Sequence, residues 1–178
     1  MSNIVFRALK AAAFGMLLSG CGLTQTVTDG TASTAKAIFY KQIKTLHLDL
    51  SGRTSTNTDE LDMRALSVPT LVRVYQLRNS KLMDKATYES LLNDDGNALG
   101  DSLLDMRTTV IKPGEGAQLS VPMDKDAQFI VVVALLREPD IQSNTWRLTL
   151  TRDDLDPDRA RVIELGDNRL TLRPLVKE

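Results

Sequence analysis

Hydrophobic positions recur at every second residue along most of this chain. Thr45-Leu46-His47-Leu48-Asp49-Leu50 sets three leucines on one face of an extended segment. Thr70–Leu77 is rich in β-branched and aromatic residues. Met106–Ile111 and Gln118–Val121 are shorter runs, separated by the turn-forming Lys112-Pro113-Gly114-Glu115-Gly116. Phe129–Leu136 is apolar for eight residues without a break, too short for a typical helix and dominated by valine. That composition predicts a central strand covered on both faces. Trp146–Thr151 alternates cleanly, and Arg161–Leu165 and Arg169–Arg173 flank Gly166-Asp167-Asn168 as a hairpin. Eight strands with regular turn punctuation predict an all-β fold, a two-sheet sandwich rather than βαβ units.

Two stretches depart from this period. Lys81–Leu92 has apolar residues at helical spacing and runs into a stop at Asp94-Asp95-Gly96, and Ala98–Leu104 reads as a further turn of helix. A helical insertion over residues 80–105 is therefore expected between strands two and three. The second departure is Ser51–Pro69, nineteen residues where a hairpin loop has about two to five. It mixes acids with Leu61, Met63 and Leu66, and apolar residues in a polar loop suit a partner surface better than a spacer.

The amino-terminal end is an address. Arg7 and Lys10 precede the apolar run Ala11–Leu18, the layout of an export signal. The run is far below the roughly 20 residues a membrane-crossing helix needs. Leu18-Ser19-Gly20-Cys21 resembles the lipobox of bacterial lipoproteins, and Cys21 is the only cysteine of the chain. The resemblance implies a diacylglycerol on the Cys21 thiol, cleavage after Gly20 and acylation of the new amino terminus. Several acyl chains anchor stably where one does not. The alternative is an ordinary signal peptide with a chance cysteine behind it. Residues 1–20 are thus expected to be signal peptide, 21–33 a small, Thr-rich tether reaching about 40 Å, and 34–178 the sandwich. Gly22 stands where an Asp would resemble the inner-membrane retention signal, so the expected location is the inner leaflet of the outer membrane, facing the periplasm.

Composition narrows the function. Of 178 residues, 42% are hydrophobic and 25% charged, as in a soluble globular domain. Lys and Arg total 22 against 23 acids, and cleavage removes Arg7 and Lys10, moving the net charge from -1 to -3. No basic excess exists for nucleic acid. One cysteine and one histidine leave no intramolecular disulfide, no multi-cysteine metal site and little material for hydrolytic catalysis. His47 is mid-strand on the face opposite the leucines, a surface histidine without a general-base partner. Asp153–Asp158 lacks the Gly and bidentate Glu of a calcium loop and reads as a solvated turn, as does Asn93–Asn97. Gly114-Glu115-Gly116 is not followed by the Lys-Ser/Thr of a phosphate loop. Trp146, alternating with Leu148 and Leu150, belongs to the core. The expectation is no enzyme, no metal and no cofactor apart from lipid on Cys21.

Several phrases together, in order and spacing, resemble one family. They are the lipobox ending in Cys21, Val72–Leu77, the helical stretch with Ala86, Tyr88 and Leu91, Ala98–Leu104, Pro113-Gly114-Glu115, Val131-Val132-Val133 and Trp146. The family is the outer-membrane lipoprotein of the bacterial type VI secretion system, TssJ or SciN/VasD. The resemblance implies a transthyretin-like β-sandwich with added helix that is not catalytic. It implies anchoring of the trans-envelope complex (TssJ, TssL and TssM) to the outer membrane by binding the periplasmic C-terminal domain of TssM. The contact is implied for the loop between the first two strands, here Asn57, Thr58, Asp59, Glu60, Leu61, Asp62 and Met63. The acids would steer association toward a basic patch, with Leu61 and Met63 as buried anchors. A rival reading is a periplasmic carrier lipoprotein with a small ligand between its sheets; a weaker one is a lipoprotein enzyme. Mass spectrometry of the exported product should find fatty acid attached at Cys21. A free, water-soluble species without it would contradict the anchor.

Overall fold

The computed structural model describes residues 43–58 and 66–175. Signal peptide, Cys21, tether and residues 59–65 lie outside them. Eight strands are present: β1 (Thr45–Gly52), β2 (Thr70–Leu77), β3 (Leu103–Ile111), β4 (Gly116–Pro122), β5 (Phe129–Leu135), β6 (Arg147–Thr151), β7 (Arg161–Gly166) and β8 (Arg169–Leu172). They form two four-stranded sheets of order β4-β1-β7-β8 and β3-β2-β5-β6. β1 runs antiparallel to β4 and parallel to β7, and all other neighbours are antiparallel.

The alternating pattern dictates the packing. Leu46, Leu48 and Leu50 of β1, each at most 1% exposed, meet Ile163, Leu165 and Leu170 from their own sheet. They face the second sheet's core residues, among them Val72, Val74, Ile130 and Val132. β5 is the interior strand that its composition predicts, and Ile130 through Ala134 are all 0% exposed, so both of its faces are covered. At about 25 cal/mol per Å² of apolar area, this continuous cluster dominates the stability. The space between the sheets is filled by these side chains.

Helices cover the outer face of the β2 sheet. α1 (Lys81–Lys85) and α2 (Tyr88–Leu99) are followed by a 3-10 turn over Gly100–Ser102. Three details differ from the sequence reading. The helix expected over Lys81–Leu92 is divided, because Thr87 caps a second start: its hydroxyl accepts from Ser90 N while Ser90 Oγ accepts from Thr87 N. The stop at Asp94-Asp95-Gly96 produces a kink, with Asp94 at φ -156°, and α2 continues to Leu99. Leu103 and Leu104, expected in a helical turn, already belong to β3. The kink has a packing reason. Asp95 accepts from Arg73 Nη1 at 3.2 Å and from Tyr75 Oη at 3.0 Å, and Arg73 Nη1 also donates to Leu91 O at 2.6 Å. Burial pushes the Tyr75 hydroxyl well above its usual range, so it remains a donor to Asp95. Tyr88 donates to Leu136 O at 2.6 Å and meets Trp146 edge-on, the ring centroids 5.2 Å apart. Trp146 is 1% exposed, as a core residue should be.

Strand direction fixes the two ends. β1, β3, β5 and β7 all run toward the same end, so the β1–β2, β3–β4, β5–β6 and β7–β8 connections gather there. Ile43 and Lys44 enter at the opposite end, where Lys44 O accepts from Met123 N and Ile43 O from Arg152 Nη2. Replacing Asp95 with Ala should cost about 1–3 kcal/mol, since Arg73 and Tyr75 lose their common acceptor. Urea unfolding would measure it, and Tyr75→Phe should cost less.

Candidate partner-binding site

The long connection leaves β1 bound to its neighbours. Arg53 N donates to Leu165 O at 2.8 Å, Gly114 N to Arg53 O at 3.1 Å, and Asp167 N to Ser55 O at 3.0 Å. The β7–β8 turn has positive φ at both Asp167 (49°) and Asn168 (56°), the type I′ geometry that its Gly-Asp-Asn sequence predicts. That turn aims Asn168 at the loop. Its Oδ1 accepts from Thr58 N at 3.0 Å and its Nδ2 donates to Thr58 O at 2.8 Å.

Asn57 does equivalent work on the other side. It is 4% exposed and left-handed, φ 50°, a conformation Asn tolerates better than most residues. Its Oδ1 accepts from Arg137 N at 2.7 Å, and its Nδ2 donates to Pro69 O at 3.4 Å. The returning limb is tied as well, Thr56 N donating to Ser67 Oγ at 3.3 Å. Neighbouring connections join the same cluster, with Leu170 N donating to Thr145 O at 2.8 Å.

Of the residues assigned to the contact, the structure therefore places two. Asn57 is buried and Thr58 half-buried, and the polar groups just named are engaged within the body. Both hold the loop's root. Asp59, Glu60, Leu61, Asp62 and Met63 lie outside the described residues, and so does Cys21. Around the root are Leu66 and Ile141, 55% and 56% exposed. Exposed apolar side chains on adjacent connections suit protein contact. Ile141 went unnoticed in the sequence because only the β5–β6 connection's position beside the loop gives it meaning. In that connection Asp140 accepts from the Ser143 hydroxyl and from Ser143 N and Gln142 N, and these bonds hold its carboxyl below the usual range.

Other sequence candidates resolve locally. His47 Nδ1 is 3.0 Å from Ser120 Oγ on the outward face of its sheet. In the Asp153–Asp158 stretch, Asp154 accepts from Thr151 N and Oγ1, and Asp156 accepts from Asp158 N and Arg159 N. These carboxylates serve their own backbone, and no cluster of metal-ligating side chains occurs among the described residues.

The class is a two-sheet β-sandwich with a helical insertion, one end of which gathers mutually tied connections around the root of a long loop. The chain belongs to the type VI secretion lipoprotein family: the family described as "Type VI secretion lipoprotein, VasD, EvfM, TssJ" matches residues 44–168. Among solved structures it is similar to a chain of a "Type VI membrane complex", at 38% identity and TM-score 0.70 over 75% of this chain and 100% of that one. It is similar to a chain of "T6SS protein TssM C-terminal domain (869-1107) from EAEC", at 36% identity and TM-score 0.68 over 75% and 100%. Lip of Serratia marcescens, a membrane bound component of the type VI secretion system, is 26% identical with TM-score 0.64 over 74% and 98%. No curated protein matches the chain.

Asn57→Ala should destabilise the fold by about 2–4 kcal/mol, from a stranded Arg137 N–H and a left-handed alanine. Asn57→Gly, which takes φ 50° without strain, should lose less than Ala in urea unfolding.

Proposed function

We propose that this lipoprotein ties the trans-envelope complex of a type VI secretion system to the outer membrane by binding the periplasmic C-terminal domain of TssM. The acyl chains on Cys21 would hold the mature amino terminus in the inner leaflet, and residues 22–33 would bridge to the body. The β1–β2 loop, from Asp59 to Met63, would make the central contact, with Leu61 and Met63 as apolar anchors.

One observation carries this reading: the polarity of the sandwich. The chain enters at Ile43 and Lys44, at the end opposite the gathered connections. An anchor joined to one end and a contact at the other let the body act as a strut under tension. The similarity to chains found in a type VI membrane complex and with a TssM C-terminal domain supports the choice of partner. Family membership supports a structural role rather than catalysis. A stable interface typically buries about 1,600 Å² in total, more than five loop residues supply, so Leu66 and the β5–β6 connection around Ile141 should take part.

The structure also selects the right deletion. Removing Asn57 or Thr58 would open the root and confuse loss of contact with loss of fold. Replacing Asp59–Met63 with a Gly-Ser linker of equal length should abolish binding to the TssM C-terminal domain while the melting temperature stays within a few degrees. Unchanged binding in a pull-down would count against the loop.

A further inference from the structure

Beside the loop's root, on the outward face of the β1 sheet, lies a pocket of about 290 Å³ lined by Arg53, Glu164, Gly166, Asp167, Arg169 and Thr171. Glu164 stands between Ile163 and Leu165, which face the core, so its side chain points to the other face. Its side chain is only 9% exposed. Arg53 Nε donates to its Oε1, and Arg173 Nε donates to its Oε2 at 2.7 Å. Yet the two arginine side chains remain 59% and 60% exposed.

The pocket is shaped for this arrangement. The stem of Arg53 lies across Gly166, where a Cβ would stand 2.6 Å from Arg53 Cδ, so the absence of a side chain at 166 lets the arginine reach Glu164. Arg169 is opposite Gly166 in the β7–β8 register, and Thr171 is opposite Glu164. Residues 169, 171 and 173 alternate onto one face, bringing a third guanidinium to the same patch. Arg169 forms no ion pair among the described residues. Its field contributes least among the influences that lower the Asp140 carboxyl, which the Ser143 hydroxyl dominates. Three arginines thus surround one sequestered carboxylate and the turn residue Asp167, in a chain whose net charge is -1.

A guanidinium has five N–H donors in a planar fork. Arg53 uses only Nε on Glu164, which leaves both amino groups for another acceptor. Glu164 has already fixed the side chain, so little rotamer freedom remains to be lost on binding. We infer that this pocket receives an acidic side chain of the protein held by the adjacent loop, its carboxylate gripped by Arg53 and Arg169. The occupant is a side chain of that protein because Arg53 is the first residue of the β1–β2 connection and Asp167 bonds Ser55, making pocket and loop root one continuous surface. This inference rests on the TssM reading and adds a chemical requirement: an Asp or Glu on the partner, next to the segment that meets the loop.

The test uses the detergent-solubilised lipoprotein and the TssM C-terminal domain, titrated at several salt concentrations. Arg169→Glu leaves the Glu164 pairs intact and should weaken binding about tenfold or more and flatten its salt dependence. Arg53→Lys keeps a cation beside Glu164 but loses the outward fork, and should weaken binding with an unchanged melting temperature. Reversing the contacted acid on TssM to Arg should restore affinity to Arg169→Glu. Wild-type affinity and salt slope in both variants, with the loop replacement still abolishing binding, would overturn the pocket while leaving the function intact. Failure of the unmodified protein to bind TssM would overturn both.

Discussion

The structure depends on where β1 lies. It is an interior strand, antiparallel to β4 and parallel to β7. Its leucines therefore face the core along their whole length, and its carboxyl end must emerge between the β3–β4 and β7–β8 connections. The chain then crosses from one sheet to the other to begin β2, and no two-residue turn spans that gap. The crossing alone does not need so many residues, since β3 to β4 passes between the same two sheets in four, Lys112 to Glu115. What is specific is its root, tied to Leu165, Asp167 and Asn168 on one side and to Arg137 and Pro69 on the other. A loop rooted this way has little backbone freedom left to lose at its base.

The same strand order separates two tasks. One end takes the incoming chain, the other carries the connections, and a core of aliphatic side chains lies between them. The shifted tyrosine and aspartate described above have structural causes. Tyr75 stays protonated against Asp95 to hold α2, and Asp140 stays ionised to shape a connection. Charge at the gathered end is mixed, with Asp59, Glu60 and Asp62 in the loop sequence and three arginines beside its root.

Most of the fold was legible because alternation is a strong signal when one face is buried. The eight strands fall where the pattern puts them, the β7–β8 turn follows from Gly-Asp-Asn, and β5 reads as interior from its run of valines. The helical insertion was legible in place but not in detail. Thr87 with Ser90 is a local capping device that overrides apolar spacing, and Asp95 is drawn to Arg73 and Tyr75 by contacts that no local pattern displays. The loop's length marked it as a candidate site. The division of labour within it was hidden, because Asn57 and Thr58 gain their partners, Arg137 and Asn168, from about 80 and 110 residues away. The Arg53–Glu164–Arg173 group was hidden for the same reason.

Hydrogen–deuterium exchange of the lipoprotein, alone and saturated with the TssM C-terminal domain, tests the central claim most directly. Binding at the gathered connections predicts new protection in the β1–β2 loop, the β5–β6 connection and the β7–β8 turn, with none around Ile43 and Lys44. Protection confined to the helices or the entry end, with the loop exchanging as freely as before, would contradict it.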